Sequence, residues 1–231
     1  MKLLFVFTLL LIIYSTNAQN LEIGLGLGAS NTRSDISNIN YLNTRPGAWV
    51  FGRWNFNSAW VARLDYKYMF IYASDKNNNY PLANFRKDQG YTLEFSNQLH
   101  ELSANMEYNF LDYRSANKKV RLTPYITGGL GFLRLINEYE YGSGTGRYDF
   151  VIPFGLGLKY VLTKTLNLGM VFSSTKTFSD ALDNVNGSYP RLLRNSHAKG
   201  WDQATNDWYY FLGFSISYTY YHIACPDFYD F

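Results

Sequence analysis

The most extended pattern in the chain is a two-residue alternation near its end. Asp207–Tyr221 reads D-W-Y-Y-F-L-G-F-S-I-S-Y-T-Y-Y, with Trp208, Tyr210, Leu212, Phe214, Ile216, Tyr218 and Tyr220 at the even positions. From Gly213 on, the odd positions turn small and polar: Gly213, Ser215, Ser217 and Thr219. Successive side chains of a pleated strand leave on opposite faces, so this period predicts a strand with one apolar face. Ordinary strands stop after about five or six residues. This one runs longer, and its apolar face is aromatic at both ends and aliphatic between, as two membrane–water boundaries require of a lipid-facing strand. It predicts a transmembrane β-strand.

Seven further stretches repeat the pattern. In Leu21–Ser30, Leu21, Ile23, Leu25 and Leu27 oppose Glu22, Gly24, Gly26 and Gly28. The glycines resemble a phosphate-cradling loop only superficially, because that motif needs a following helix. On the inner wall of a narrow barrel they instead leave room for bulky neighbours. Ala48–Trp54 is a second strand whose register the pattern leaves open, with Arg53 read as inward. Trp60–Phe70 sets Trp60, Leu64, Tyr66 and Phe70 against Arg63, Asp65 and Lys67. Leu99–Phe110 sets Leu102, Met106 and Phe110 against Glu101, Asn105 and Glu107. Leu122–Ile136, Phe150–Leu162 and Leu166–Ser173 complete the set.

The connections divide by length. Asn31–Pro46, Ala73–Gly90, Asn137–Arg147 and Ser174–Asn206 are long and polar; those between them are mostly shorter. Long loops alternating with short turns, and an even strand number, mark a bacterial outer-membrane barrel with both termini in the periplasm. A soluble lipocalin-type barrel also has eight strands but turns its apolar face inward around a ligand. Here charges sit in mid-strand opposite aliphatics. The expected fold is therefore all-β: an eight-stranded antiparallel transmembrane barrel. Its lumen would hold Arg53, Arg63, Lys67 and Lys159 against Glu22, Asp65, Glu101 and Glu107. An eight-stranded bore is only wide enough for side chains, so four ions of each sign should pair and plug it.

Targeting and composition narrow the class. Lys2, the apolar run Leu3–Tyr14 and the small residues ending at Ala18 read as a cleaved secretory signal over 1–18. The barrel would then occupy 19–222 and a periplasmic tail 223–231. No Cys follows the cut, so no lipid anchor is expected there. Aromatics make up 19% of the chain, yet mean hydropathy is slightly negative, which suits a barrel with an apolar wall and polar lumen and loops. A net charge of +3 is too small to argue for nucleic acid. The single Cys225 excludes an internal disulfide framework.

Candidate chemistry is sparse. The histidines are His100, His197 and His222. Ser196-His197 invites a hydrolase reading, but a triad is recognised by geometry and not by adjacency. His100 follows the strand period and leaves on the face opposite Glu101. No Cys/His cluster has metal-ligand spacing, and Asp180–Asn184 lacks that of a calcium loop. The expectation is no catalytic residue, no cofactor, no metal and no small-molecule substrate.

Five segments carry a family resemblance: Glu101–Phe110, Leu122–Phe132, Ile152–Tyr160, Phe178–Tyr189 (F-S-D-A-L-D-N-V-N-G-S-Y) and Asn206–Tyr220. In consistent order, over most of the chain, they resemble the PorG family of outer-membrane barrels in the Bacteroidota type IX secretion system. The loop segment and Asn206-Asp207-Trp208 are the more specific, because barrel physics does not require them. The resemblance implies a non-enzymatic protein that anchors a periplasmic ring, of the lipoprotein PorK and of PorN, to the outer membrane; in gliding species it also implies support of motility.

Two other readings stand beside it: a generic small barrel acting as adhesin or stability protein, and a lipid-modifying enzyme. For a ring contact, the turn Leu111–Arg121 offers Arg114, Lys118, Lys119 and Arg121, though four basic residues can also simply solvate a turn. The tail offers Phe228, Tyr229 and Phe231, beyond Pro226, which discourages further strand.

Overall fold

The computed structural model describes residues 20–33, 41–74, 94–113, 120–137, 147–178 and 208–220. Within them lie eight strands: β1 Asn20–Arg33, β2 Arg45–Asn55, β3 Trp60–Ser74, β4 Glu94–Asn109, β5 Leu122–Asn137, β6 Arg147–Val161, β7 Leu166–Thr177 and β8 Trp208–Tyr220. Each pairs with its sequence neighbours, and β1 pairs antiparallel with β8 from Leu21↔Tyr220 to Arg33↔Trp208, closing the barrel. Closure leaves no sheet edge, so every strand finds backbone partners on both sides, the condition for lying in lipid. No helix among the described residues is long and apolar enough to cross a membrane.

The wall reverses a soluble core. Leu27, Leu64, Phe132, Leu156 and Phe214 on its outer side are all exposed. The charged residues Glu22, Arg53, Arg63, Asp65, Lys67, Glu101, Glu107 and Lys159 are buried in the bore. At the short-turn end the outer face carries Trp54, Trp60, Tyr108, Tyr160, Tyr218 and Tyr220, with Trp60 and Tyr108 edge to face at 5.0 Å. Two turns at this end are closed by side chains. Asn57 Oδ1 accepts from the amides of Ala59 (2.9 Å) and Trp60 (2.7 Å). Thr163 Oγ1 accepts from Thr165 (3.3 Å) and Leu166 (3.0 Å). Asn and Thr in such positions replace a ladder bond with a local one, which makes a reversal tight.

Three sequence expectations change. The strands reach further at the long-loop end than the apolar pattern does: Asn31–Arg33, Arg45, Pro46, Ala73, Ser74, Glu94–Gln98, Arg147 and Ser174–Thr177 belong to strands. The ladder is made by backbone groups, so pairing continues past the lipid boundary, where side-chain polarity no longer matters. The second strand's register is settled, with Trp49, Phe51, Arg53 and Asn55 inward. The bore is also not filled by charge alone. Its loop-end half is an apolar plug of Trp49, Phe51, Met69, Ile71, Leu99, Leu133, Leu135, Val151, Tyr209 and Phe211.

The plug explains the glycines. Trp49 stands edge to face against Phe211 at 5.2 Å. A Cβ at Gly26 would lie 2.8 Å from the Trp49 ring, and one at Gly213 would lie 2.7 Å from that of Phe211. Both distances are far inside van der Waals contact, so two large rings fit across the bore only because the facing strands carry hydrogen there.

Candidate functional site: the lumenal charge network

β1, β2, β3, β4 and β6 turn ions inward, most of them at the short-turn half, and the structure brings all eight lumenal ions into two sets. In the larger, Glu107 on β4 is the hub. It accepts from Arg63 Nη1 and Lys159 Nζ, and Arg53 Nε lies 3.3 Å from its carboxylate. Arg53 reaches on to Glu22 (2.6 Å) and Arg63 to Asp65 (2.8 Å). Neutral groups take up remaining valences. Asn105 Nδ2 donates to Asp65 (2.7 Å), Lys159 Nζ to Asn109 Oδ1 (2.9 Å) and Ser217 Oγ to Glu22 (2.5 Å). The smaller set is Lys67–Glu101 (2.9 Å), with Ser103 and Tyr209 donating to Glu101 at 2.8 and 2.7 Å.

Aromatic rings lie over two of the cations. The Arg53 guanidinium sits 4.4 Å from the Phe51 ring centre, and Lys159 Nζ 4.6 Å from that of Tyr125. The four cations and four carboxylates cancel formally, so nothing in these two sets favours one sign of permeant ion. Their pairing is not one to one. Glu107 holds three cations because β2, β3 and β6 all send long basic side chains to one level of a bore too narrow to keep them apart. Asn105, Asn109 and Ser217 were placed on the inner face by the sequence but given no role there, and Tyr209 and the plug were missed. Parity could have found them, since each shares a face with a charged or glycine position already read as inward.

Of the expected contact residues, Arg121 is described: it is exposed just before β5, and its carbonyl accepts from the Val161 amide at 2.8 Å. Arg114, Lys118, Lys119, Phe228, Tyr229 and Phe231 lie outside the described residues, as do the signal stretch 1–18, His197, His222 and Cys225. His100 faces outward, with Nδ1 at 2.8 Å from the Tyr66 hydroxyl. Among the described residues no group of three His, Cys, Asp or Glu side chains could hold a metal.

A closed antiparallel barrel of eight strands, apolar outside and charged inside, with aromatics at the lipid boundary, defines a small bacterial outer-membrane β-barrel. The chain belongs to the DUF6089 family, a domain of unknown function, whose profile matches residues 1–227. Among solved structures it is similar to Neisserial surface protein A (TM-score 0.52, 11% identity, 88% of this chain and 99% of that one). It is also similar to Ail, the attachment invasion locus protein of Yersinia pestis (0.50, 11%, 88% and 100%). A third is the N-terminal barrel domain of OprF from Pseudomonas aeruginosa (0.45, 13%, 88% and 100%). At such identities the likeness is one of fold. None of the curated proteins compared with the chain matches it.

Proposed function

We propose that this barrel is a non-enzymatic scaffold that anchors a periplasmic ring of the PorK/PorN type to the outer membrane for type IX protein secretion, and for motility in gliding species. The geometric observation that carries a scaffold over a channel is the filled bore: an apolar plug above an ion network whose formal charges cancel. A blocked lumen leaves the outer wall and the two ends as working surfaces. The resemblance to PorG barrels, spread in order over most of the chain, selects the periplasmic end. The longest turn there is Leu111–Arg121, where short turns are the rule.

The test removes Asp227–Phe231 in one variant and reverses Lys118 and Lys119 to Glu in another. Outer-membrane levels of the barrel and co-purification of the ring lipoprotein are measured for both. Normal barrel levels with reduced ring recovery support the anchor. Unchanged ring recovery in both places the contact elsewhere. Unchanged secretion after deletion of the whole gene removes the scaffold reading.

The adhesin reading rests on a different observation: one fold neighbour, Ail, is named for attachment and invasion. The two readings part at the loop end. Replacing residues 179–206 by a short Gly/Ser linker spares secretion if the periplasmic end works, and abolishes surface attachment if the loops do.

A further inference from the structure

The outer wall is electrically lopsided. Among the described side chains, the outward positions of the eight strands carry three full charges, Arg33, Arg134 and Lys176, all positive and all near the loop end. The opposite boundary of the wall holds uncharged aromatics instead. Arg134 stands twelve residues along β5 from Leu122. A strand tilted by about 40° rises roughly 2.5 Å per residue along the membrane normal, so Arg134 clears an apolar band about 25 Å tall. It therefore reaches the headgroup layer of the outer leaflet, where an arginine is tolerated.

Its neighbours form a built surface. Tyr68, His100, Arg134 and Tyr148 are in register across β3, β4, β5 and β6. The Tyr68 and His100 rings are 4.8 Å apart, Tyr68 OH donates to Gln98 Oε1 at 3.2 Å, and the Arg134 guanidinium lies 5.8 Å from the Tyr148 ring centre. With Nδ1 of His100 engaged by Tyr66, its other ring nitrogen is left for a ligand. One step lower on the same face lie Leu102, Phe132 and Phe150, also in register and exposed. On the far side of the barrel Arg33, Trp208 and Lys176 are in register across β1, β8 and β7, with Lys176 Nζ 5.8 Å from the Trp208 ring.

We propose that this rim binds the phosphorylated sugar headgroup of an outer-leaflet glycolipid, with Arg134 and His100 on a phosphate and Leu102, Phe132 and Phe150 against its acyl chains. Guanidinium matches phosphate in charge and in its paired donors. Cations beside membrane strands recruit anionic headgroups. The flanking rings, phenol hydroxyls and the Gln98 amide suit a sugar better than a small glycerol headgroup, which decides for a glycolipid. The inference depends on the outer-membrane location and not on the secretion reading.

The experiment uses the full mature barrel in phosphatidylcholine nanodiscs carrying a small share of bisphosphorylated lipid A, dephosphorylated lipid A or phosphatidylglycerol. Lipid retained on the released barrel is counted by native mass spectrometry, and folding is checked by heat-modifiable gel migration. Lipid A is expected to be retained over both controls. Arg134→Gln should reduce retention about tenfold, the loss of one charge-assisted contact, and Arg134→Lys should keep part of it. Should Arg134→Gln not fold, His100→Gln is the second variant, with a loss again expected. Equal retention of lipid A by folded variants and wild type overturns the proposal. So does retention of phosphatidylglycerol or dephosphorylated lipid A at the level of lipid A.

Discussion

Glu107 is the residue on which the polar half of the bore turns, since Arg53, Arg63 and Lys159 all meet its carboxylate. Replacing both members of a buried ion pair can be nearly neutral, but removing one strands the other in a low dielectric at about 3–5 kcal/mol. Glu107→Gln is expected to cost that much in urea unfolding of the reconstituted barrel. Adding Lys159→Met should recover part of the loss, because it restores equal numbers of opposite charges. An additive double mutant would mean that the two groups are not coupled. The glycine lane makes a second prediction at this scale. Gly26→Leu must displace the Trp49 ring and the backbone carbonyl of Phe214, and overpacking of this kind costs about 1–3 kcal/mol or more. The same change at Gly52, where a Cβ meets nothing within 4 Å, should be close to neutral in the same assay.

On the scale of the strand, the wall's two faces predict opposite tolerances. Leu156 faces lipid in the middle of β6. Leu156→Arg should cost about 2–4 kcal/mol, whereas Ser58→Arg in the exposed turn between β2 and β3 should cost almost nothing. Equal unfolding midpoints for the two variants would contradict the register. These faces were legible in the sequence because apolar residues alternate with charged and polar ones through most of Trp60–Phe70 and Leu99–Phe110. The loop-side ends of β1, β4 and β7 were not legible: once a strand leaves the bilayer nothing constrains its outward side chains, and Asn31, Ser96 or Lys176 read as loop. The plug escaped for a related reason. Tyr209 and Phe211 are as apolar as the lipid-facing residues beside them, so composition hides which face they take. The hub role of Glu107 lay beyond any pattern, since it depends on how four strands converge in space. The contact residues of the turn and tail rest on charge and aromaticity alone, which name a residue type without a geometry.

As a whole molecule, the barrel is closed to ions by geometry as well as by charge. Planar-bilayer recordings of the intact protein are expected to show no stable open state, since Trp49, Phe51 and Phe211 occlude the loop half and paired ions occupy the other. Sustained conductance would refute a plugged lumen. The network has a mechanical corollary. Neighbouring strands of a bare barrel are joined only around the circumference, so a pull on one wall is free to flatten the ring into an oval. Here Arg53 on β2, Arg63 on β3 and Lys159 on β6 all end on one carboxylate of β4, while Tyr209 ties β8 to the same strand through Glu101. These bonds act as spokes on a hub: they resist ovalisation and pass a load on one side to strands on the other. A cylinder braced across its diameter holds its shape under traction from below.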